Sequence, residues 1–299
     1  LKRIVINGGV CNAANKKIGN SFWYMTPVSE TDRPILGMVV GQEKTLMIDA
    51  GNSEEHAQLF LEMLQEKNVS RPDFVALTHW HWDHIFGLPV LKDALTIAHA
   101  ETKKEMQSLV SYEWTDEALD ARVKEGTEIA FCADCIKKEF EEKARNIKII
   151  PPALTFQDQI ELDLGEVTCV LKHVGGDHAH DSVVMYIKEE KILFLGDCIY
   201  ADIFSSKWNY TTKRTFKLIE ELESFDAETY ILSHGTAISR DEFLQEIHLL
   251  KTVGTYTEIH KADEENIKAA YKRDVNRELN EDELETITFF VNGYEMNNQ

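Results

Sequence analysis

Residues 78–87 read Thr-His-Trp-His-Trp-Asp-His-Ile-Phe-Gly, so His79, His81, Asp83 and His84 fall within six positions. The apolar run 74–77 just before them reads as a short buried strand, and Gly87 and Pro89 punctuate the stretch beyond. The four polar residues therefore sit where a strand stops and a turn begins. Side chains there converge on a point beyond the sheet edge, which is where open α/β sheets place their ligands.

Three more stretches have the same grammar, a ligand-type residue at the end of an apolar run. They are HVGGDHAHDS with His178, ILFLGDCIY with Asp197, and YILSHGT with His234. If these strands lie side by side, all four ends meet at one edge. Imidazole nitrogens and carboxylate oxygens without thiolates suit Zn²⁺, with Fe or Mn as alternatives. Seven such groups exceed what one ion takes, so two ions sharing a carboxylate is the economical reading. Two ions roughly 3.5–4 Å apart hold a hydroxide between them and polarise the bond it attacks.

The pattern His79-x-His81-x-Asp83-His84, followed in order by His178, Asp197 and His234, resembles the metallo-β-lactamase fold superfamily. The resemblance runs from about Leu36 to Ser239 and includes the Asp-Ala-Gly that begins at Asp49. It implies an α/β protein, an αββα sandwich of two mixed β-sheets flanked by helices. It implies that His79, His81 and His178 hold one metal, that Asp83, His84 and His234 hold the other, and that Asp197 bridges them. Asp197 stands where the best-known class of zinc β-lactamases carries a cysteine, which makes antibiotic hydrolysis a minor option. Cys198 is offset by one and points to the other side of a strand.

The elements that must position these groups are legible in outline. Runs 35–40 and 45–49 are strands joined by a hairpin-like turn, and Ser53 caps a helix spaced by Leu59, Phe60, Met63 and Leu64. With 74–77 this makes a βαβ unit. A strand at 95–98 precedes a charged, proline-free helical insertion near 101–145, which Pro151 and Pro152 end. Strands come next at 160–162, 167–171, 182–187 and 192–195, then a helix at 212–223 and a strand at 229–232. From Ser239 the chain reads helical and acidic. No linker or repeat divides it, so 1–299 is expected to be one domain with a helical insertion and a helical C-terminal extension.

A formal net charge of -20 argues against nucleic acid, whose binding needs phosphates neutralised by Lys and Arg. No apolar run approaches a membrane span. Five scattered cysteines, an odd number, fit a reducing compartment, so the chain is expected to be cytoplasmic. The first seven residues lack the pattern of a signal peptide, although a chain starting at Leu1 leaves an earlier trimmed leader open. The expected partner is a small-molecule substrate. The acidic helices are candidates for a cleft cap or a homodimer interface.

Other residues take ordinary readings. His56, His99, His173, His248 and His260 are structural or surface histidines, and His180 lies behind the site or on the surface. Cys132-x-x-Cys135 is two helix residues without a second pair, and the charge runs 139–143 and 278–285 are solvated helix faces. Trp82, Tyr200, Trp208 and Tyr210 are the candidate substrate contacts, because aromatic rings commonly line small-molecule pockets. Asp83 and Asp197 are the candidate catalytic residues, Asp83 accepting a hydrogen bond from the hydroxide, and Tyr200 is the candidate acid. The expected activity is binuclear metal-dependent hydrolysis of an ester, lactone, thioester or phosphodiester. The rivals are a mononuclear-iron persulfide dioxygenase and a non-catalytic binding protein on the same fold. The related diiron type replaces the second histidine by glutamate, and here that position is His81.

Overall fold

The computed structural model describes residues 13–141 and 145–298. The expected leaderless start and Cys11 lie outside the described residues. The first sheet has seven strands in the order β1-β2-β3-β4-β5-β6-β7. These are β1 Asn15–Ile18, β2 Phe22–Met25, β3 Leu36–Val40, β4 Thr45–Ile48, β5 Phe74–Ala76, β6 Leu95–His99 and β7 Leu154–Phe156. The second has six, β8 Gln159–Asp163, β9 Thr168–His173, β10 Val183–Ile187, β11 Ile192–Gly196, β12 Thr229–Leu232 and β13 Ala237–Ser239, in reverse spatial order from β13 to β8. Strands β4 to β7 run parallel, as do β11 and β12, so their C-terminal ends share an edge.

The central strands are apolar on both faces because both faces are covered. Leu46 and Ile48 face the second sheet, meeting Met185, Phe194 and Ile231, while Met47 between them faces an outer helical layer. In β11, Phe194 points inward and Leu193 and Leu195 outward. The result is the αββα sandwich, two mixed sheets face to face with helices outside.

On the first sheet's outer face lie α1 Glu54–Gln65, the single-turn α2 Trp82–Ile85, and three helices from the charged insertion: α3 Ala100–Leu109, α4 Asp116–Glu125 and α5 Ala130–Phe140. Ser53 caps α1, accepting from His56 N, and α1 buries Ala57, Phe60, Leu61 and Leu64. The insertion is not one long helix. Gly126, at φ 75°, ends α4 in the left-handed conformation that glycine adopts without steric cost. Its buried residues, among them Met106, Trp114, Leu119 and Ile136, join the same core as Phe60 and Ile85.

The second sheet is covered by α6 Thr212–Glu223, α7 Arg240–His260, α8 Glu264–Val275 and α9 Glu281–Asn297. Capping boxes start α7 (Ser239, Glu242) and α9 (Asn280, Glu283). Each charge run has one acid that is less solvated than its sequence implies. Glu139 is buried, with Arg33 donating to both its oxygens, and Glu283 is buried against Arg277. Strands β1, β7 and β13 carry too few apolar residues to announce themselves. Among the described residues no helix is long and apolar enough to cross a membrane.

Phe194 is fully buried between the sheets, its ring edge-on to Phe22 at 6.5 Å. Phe194→Ala is expected to lower unfolding free energy by about 3–5 kcal/mol, read from urea denaturation. A loss below about 1 kcal/mol would contradict this packing.

Candidate metal centre

Beyond β5, the backbone is steered by Asp49, a fully buried carboxylate at the end of β4 with φ 61°. Its Oδ1 accepts from Thr78 N at 2.7 Å and its Oδ2 from the Thr78 hydroxyl at 2.9 Å. His84 Nδ1 also donates to Asp49 Oδ2, at 2.8 Å. Since the Thr78 hydroxyl proton goes to Asp49, its oxygen accepts from His79 Nδ1, 3.0 Å away. Both histidines therefore turn Nε2 away from these partners. His81 comes next as the N-cap of α2, which carries Asp83 and His84.

His178 enters from the loop between β9 and β10. The preceding Asp177 is pinned to the start of α6, accepting from Thr211 N at 3.0 Å, the Thr211 hydroxyl at 2.7 Å and the Thr215 hydroxyl at 3.0 Å. His178 Nδ1 donates to the Ala201 carbonyl at 3.2 Å. Asp197 leaves β11 after Gly196, whose φ is 58° and where an added Cβ would sit 2.9 Å from Thr78 Cβ. His234 lies just past β12, with Nδ1 3.2 Å from Asp32 Oδ1.

These turns bring all seven sequence-named residues together as two groups, His79 with His81 and His178, and Asp83 with His84, Asp197 and His234. In each group the potential ligand atoms lie within 4.8 Å of one another. Asp197 Oδ2 stands between them, 3.9 Å from His79 Nε2, 3.6 Å from His178 Nε2, and 3.3 Å from both His84 Nε2 and His234 Nε2. Asp83 Oδ2 lies 3.0 Å from His84 Nε2 and 3.1 Å from His234 Nε2.

The donor set fits metal ions. His79 Nε2, His178 Nε2 and Asp197 Oδ1 are buried without a hydrogen-bond partner, a costly state for polar atoms. Nitrogen and oxygen donors about 3.3 Å apart match the edges of a coordination shell with bonds of ~2.0–2.2 Å. The charges are equally telling. Burial and the neighbouring imidazoles push His79 and His81 well below the ordinary histidine range, and burial lowers His178. Burial acts the same way on His84 and His234, but the carboxylates of Asp83, Asp49, Asp197 and Asp32 overcome it and hold both well above that range. Asp83 and Asp197, despite burial, are held well below the carboxylate range by His84 and His234.

The proposed aromatic contacts divide. Tyr200 borders the cluster, its ring 6.1 Å from His178 and 6.3 Å from His234. Trp82 turns the other way, buried against Phe86 in the outer core. Trp80 takes its place, 4.8 Å from the His81 ring, and Phe204 lies 4.9 Å from the same ring. Neither Trp208 nor Tyr210 joins the cluster. Trp208 packs on Phe289 of α9, and Tyr210 is buried against Phe289 and Phe290, its hydroxyl donating to the Ile199 carbonyl. His180 is half-exposed and faces Glu105 and Glu101 of α3. Cys198 is buried in the second outer core, and Cys132 and Cys135 are buried free thiols of α5. The alternation of Trp80 and Trp82 with the ligands leaves either one to wall the site, and Trp80 is the one that does. Sequence reasoning missed Asp32, Thr78 and Phe204, of which only Thr78 left a signal, as the residue just before the histidine motif.

Metal ligation requires neutral imidazole. Near pH 7, His79, His81 and His178 are already neutral, whereas His84 and His234 must each lose a proton. Calorimetric zinc titration in buffers of different ionisation enthalpy is expected to show protons released on filling the Asp83–His84–His234 group alone, with that affinity rising with pH. Proton-neutral binding of every ion would contradict this charge distribution.

Comparison with known proteins adds family context. The family model of the metallo-beta-lactamase superfamily matches residues 33–234. A human protein named acyl-coenzyme A thioesterase MBLAC2 is 27% identical over 197 residues, 62% of this chain and 66% of that protein. A Caenorhabditis elegans beta-lactamase-like protein 2 homolog is 22% identical over 75% of this chain and 66% of its own length. The chain thus spans just under two thirds of these relatives. A metallo-beta-lactamase from Pontibacter korlensis superposes with a TM-score of 0.55 at 18% identity, covering 79% of this chain and 97% of that one. The Pseudomonas sec-alkylsulfatase Pisa1 superposes with a TM-score of 0.61 at 14% identity, covering 86% of this chain and 45% of that one. At such identities the structural likeness concerns the fold alone.

Proposed function

The chain belongs to the metallo-beta-lactamase superfamily, and from that premise we propose that it is a binuclear metal-dependent hydrolase whose substrate is a small acyl thioester. The observation that carries this reading is the convergence of four imidazole Nε2 atoms on Asp197 Oδ2. His79, His81 and His178 would hold one ion, and Asp83, His84 and His234 the other, with Asp197 shared. Zinc suits the nitrogen and oxygen donors, with iron or manganese as alternatives. Bound there, the two ions supply Lewis acidity and a water acidified toward neutrality.

The chain's own residues do the rest. Asp83, held ionised, accepts a hydrogen bond from the attacking water and so orients it. Burial and the Asp197 charge hold the Tyr200 hydroxyl protonated, so it serves as a donor to the oxygen on which charge develops. Trp80 and Phe204 wall the side of His81 where the substrate approaches. A thioester suits this equipment because its leaving group is a thiolate, and simple thiols ionise near ~8.5. Departure needs no strong general acid. The name acyl-coenzyme A thioesterase carried by the human relative supports the same choice. The packing of α7 to α9 on the second sheet supports treating the chain as one domain with a helical extension.

Purified protein loaded with zinc, iron or manganese tests this against acyl-coenzyme A thioesters, oxygen esters, lactones, phosphodiesters and a β-lactam. Thioester cleavage is expected to dominate. Asp197→Ala is expected to lower kcat/KM by more than about a hundredfold with loss of metal. Tyr200→Phe is expected to lower kcat by about a hundredfold with metal retained. Preference for another class would overturn the substrate, and oxygen consumption with a persulfide by a single-iron protein would overturn the hydrolase.

A further inference from the structure

His234 is the most exposed of the seven clustered residues, its side chain 25% exposed while the other six are buried. It stands two residues beyond β12, its ring edge-on to His84 of α2 at 6.0 Å and tilted to Tyr200 at 6.3 Å. On its far side the ring is paired with the Asp32 carboxylate. Nδ1 faces Asp32 Oδ1 at 3.2 Å while Nε2 faces Asp83 and Asp197. A ring rotated by half a turn would present carbon to both of these sides.

Asp32 sits in the left-handed backbone region at φ 57°, which aspartate adopts more readily than most residues, and its surroundings fix it there. The surroundings are on either side. Asn52 Nδ2 donates to the Thr31 carbonyl at 2.8 Å. Val28 and Arg33 exchange two backbone hydrogen bonds of 2.9 Å that close the turn. Ile35 N donates to the carbonyl of Ser233 at 2.7 Å, tying the segment after Asp32 to the residue before His234. Arg33 then reaches Glu139 of α5 with Nε and a terminal nitrogen, at 3.0 Å and 2.7 Å. Glu139 also accepts from the Ser53 hydroxyl at 2.5 Å. The Glu139 side chain is 1% exposed and that of Arg33 20%, so the two-pronged pair is anchored on a buried carboxylate.

We infer that Asp32 is a positioning residue, fixing the tautomer and orientation of His234 toward the second ion, and that α5 of the helical insertion holds Asp32 in place through Arg33 and Glu139. The inference rests on the binuclear reading above. Carboxylates on the far nitrogen of a metal-bound histidine fix its orientation and raise its basicity, and removing them typically costs about 10–100-fold in metal affinity.

The test is stepwise zinc titration against a chromophoric chelator, with ¹⁵N-histidine spectra of the metal-free protein as a second readout. Asp32→Gly relieves the left-handed backbone while removing the carboxylate, so folding is preserved. It is expected to weaken the second zinc by about 10–100-fold, leave the first unchanged, and erase the His234 Nδ1–H resonance. Asp32→Asn keeps an acceptor at a backbone angle that asparagine tolerates, and is expected to restore affinity to within a few-fold of wild type. Arg33→Lys keeps the charge but loses the two-pronged grip, and is expected to weaken the second zinc alone. Two zinc ions bound by Asp32→Gly with wild-type affinity would overturn the role of Asp32, and an unaltered Arg33→Lys would overturn the part assigned to the insertion. Wild-type protein binding fewer than two ions would overturn the binuclear reading and this inference with it.

Discussion

Everything at the site depends on one oxygen, Asp197 Oδ2, with imidazole Nε2 atoms from His79, His84, His178 and His234 within 3.9 Å of it. Left to themselves, buried imidazoles do not crowd a common point. They do so here because each Nδ1 is committed on the outer side, to Thr78, Asp49, the Ala201 carbonyl and Asp32 respectively. The outer partners decide which nitrogen faces inward, and so decide that every one of these rings turns Nε2 toward the common point.

That arrangement explains why the fold is built as it is. The groups come from the ends of β4, β5, β11 and β12 and from the loop before β10, so two sheets must be packed face to face before the site exists. Gly196 lets the backbone of the second sheet pass Thr78 of the first, and Val183 N donates to the Thr78 carbonyl at 2.8 Å across the same boundary. The interior between the sheets is accordingly apolar and closed, with polar groups confined to its edge. The two halves carry opposite electrical roles. One group is neutral imidazole, and the other is imidazole held charged by carboxylates until something displaces the protons.

Much of this was legible in the sequence, for reasons that can be named. Helix α6 and strand β12 appear where the apolar spacing puts them, because both are amphipathic or buried over their whole length. The ligand-type residues are legible because they end such runs. The illegible parts depend on partners far along the chain. Glu139 reads as one acid in a charge run, yet its partner Arg33 lies 106 residues earlier. Trp82 leaves the expected substrate wall because a helix begins there and turns that ring onto Phe86, one helical turn on. Trp208 and Tyr210 come soon after Asp197, but the bridge between Asp202 and Asn209 folds that loop onto α9. Asp32 carries no signal at all, since only the register of β12 beside the segment after it brings it to His234.

The central claim is that this cluster holds two ions with Asp197 between them, and anomalous diffraction from zinc-soaked crystals measures it directly. The account expects two anomalous peaks, one among His79, His81 and His178 and one among Asp83, His84 and His234, with Asp197 reaching both. A single peak, or zinc bound only outside this cluster, would contradict it.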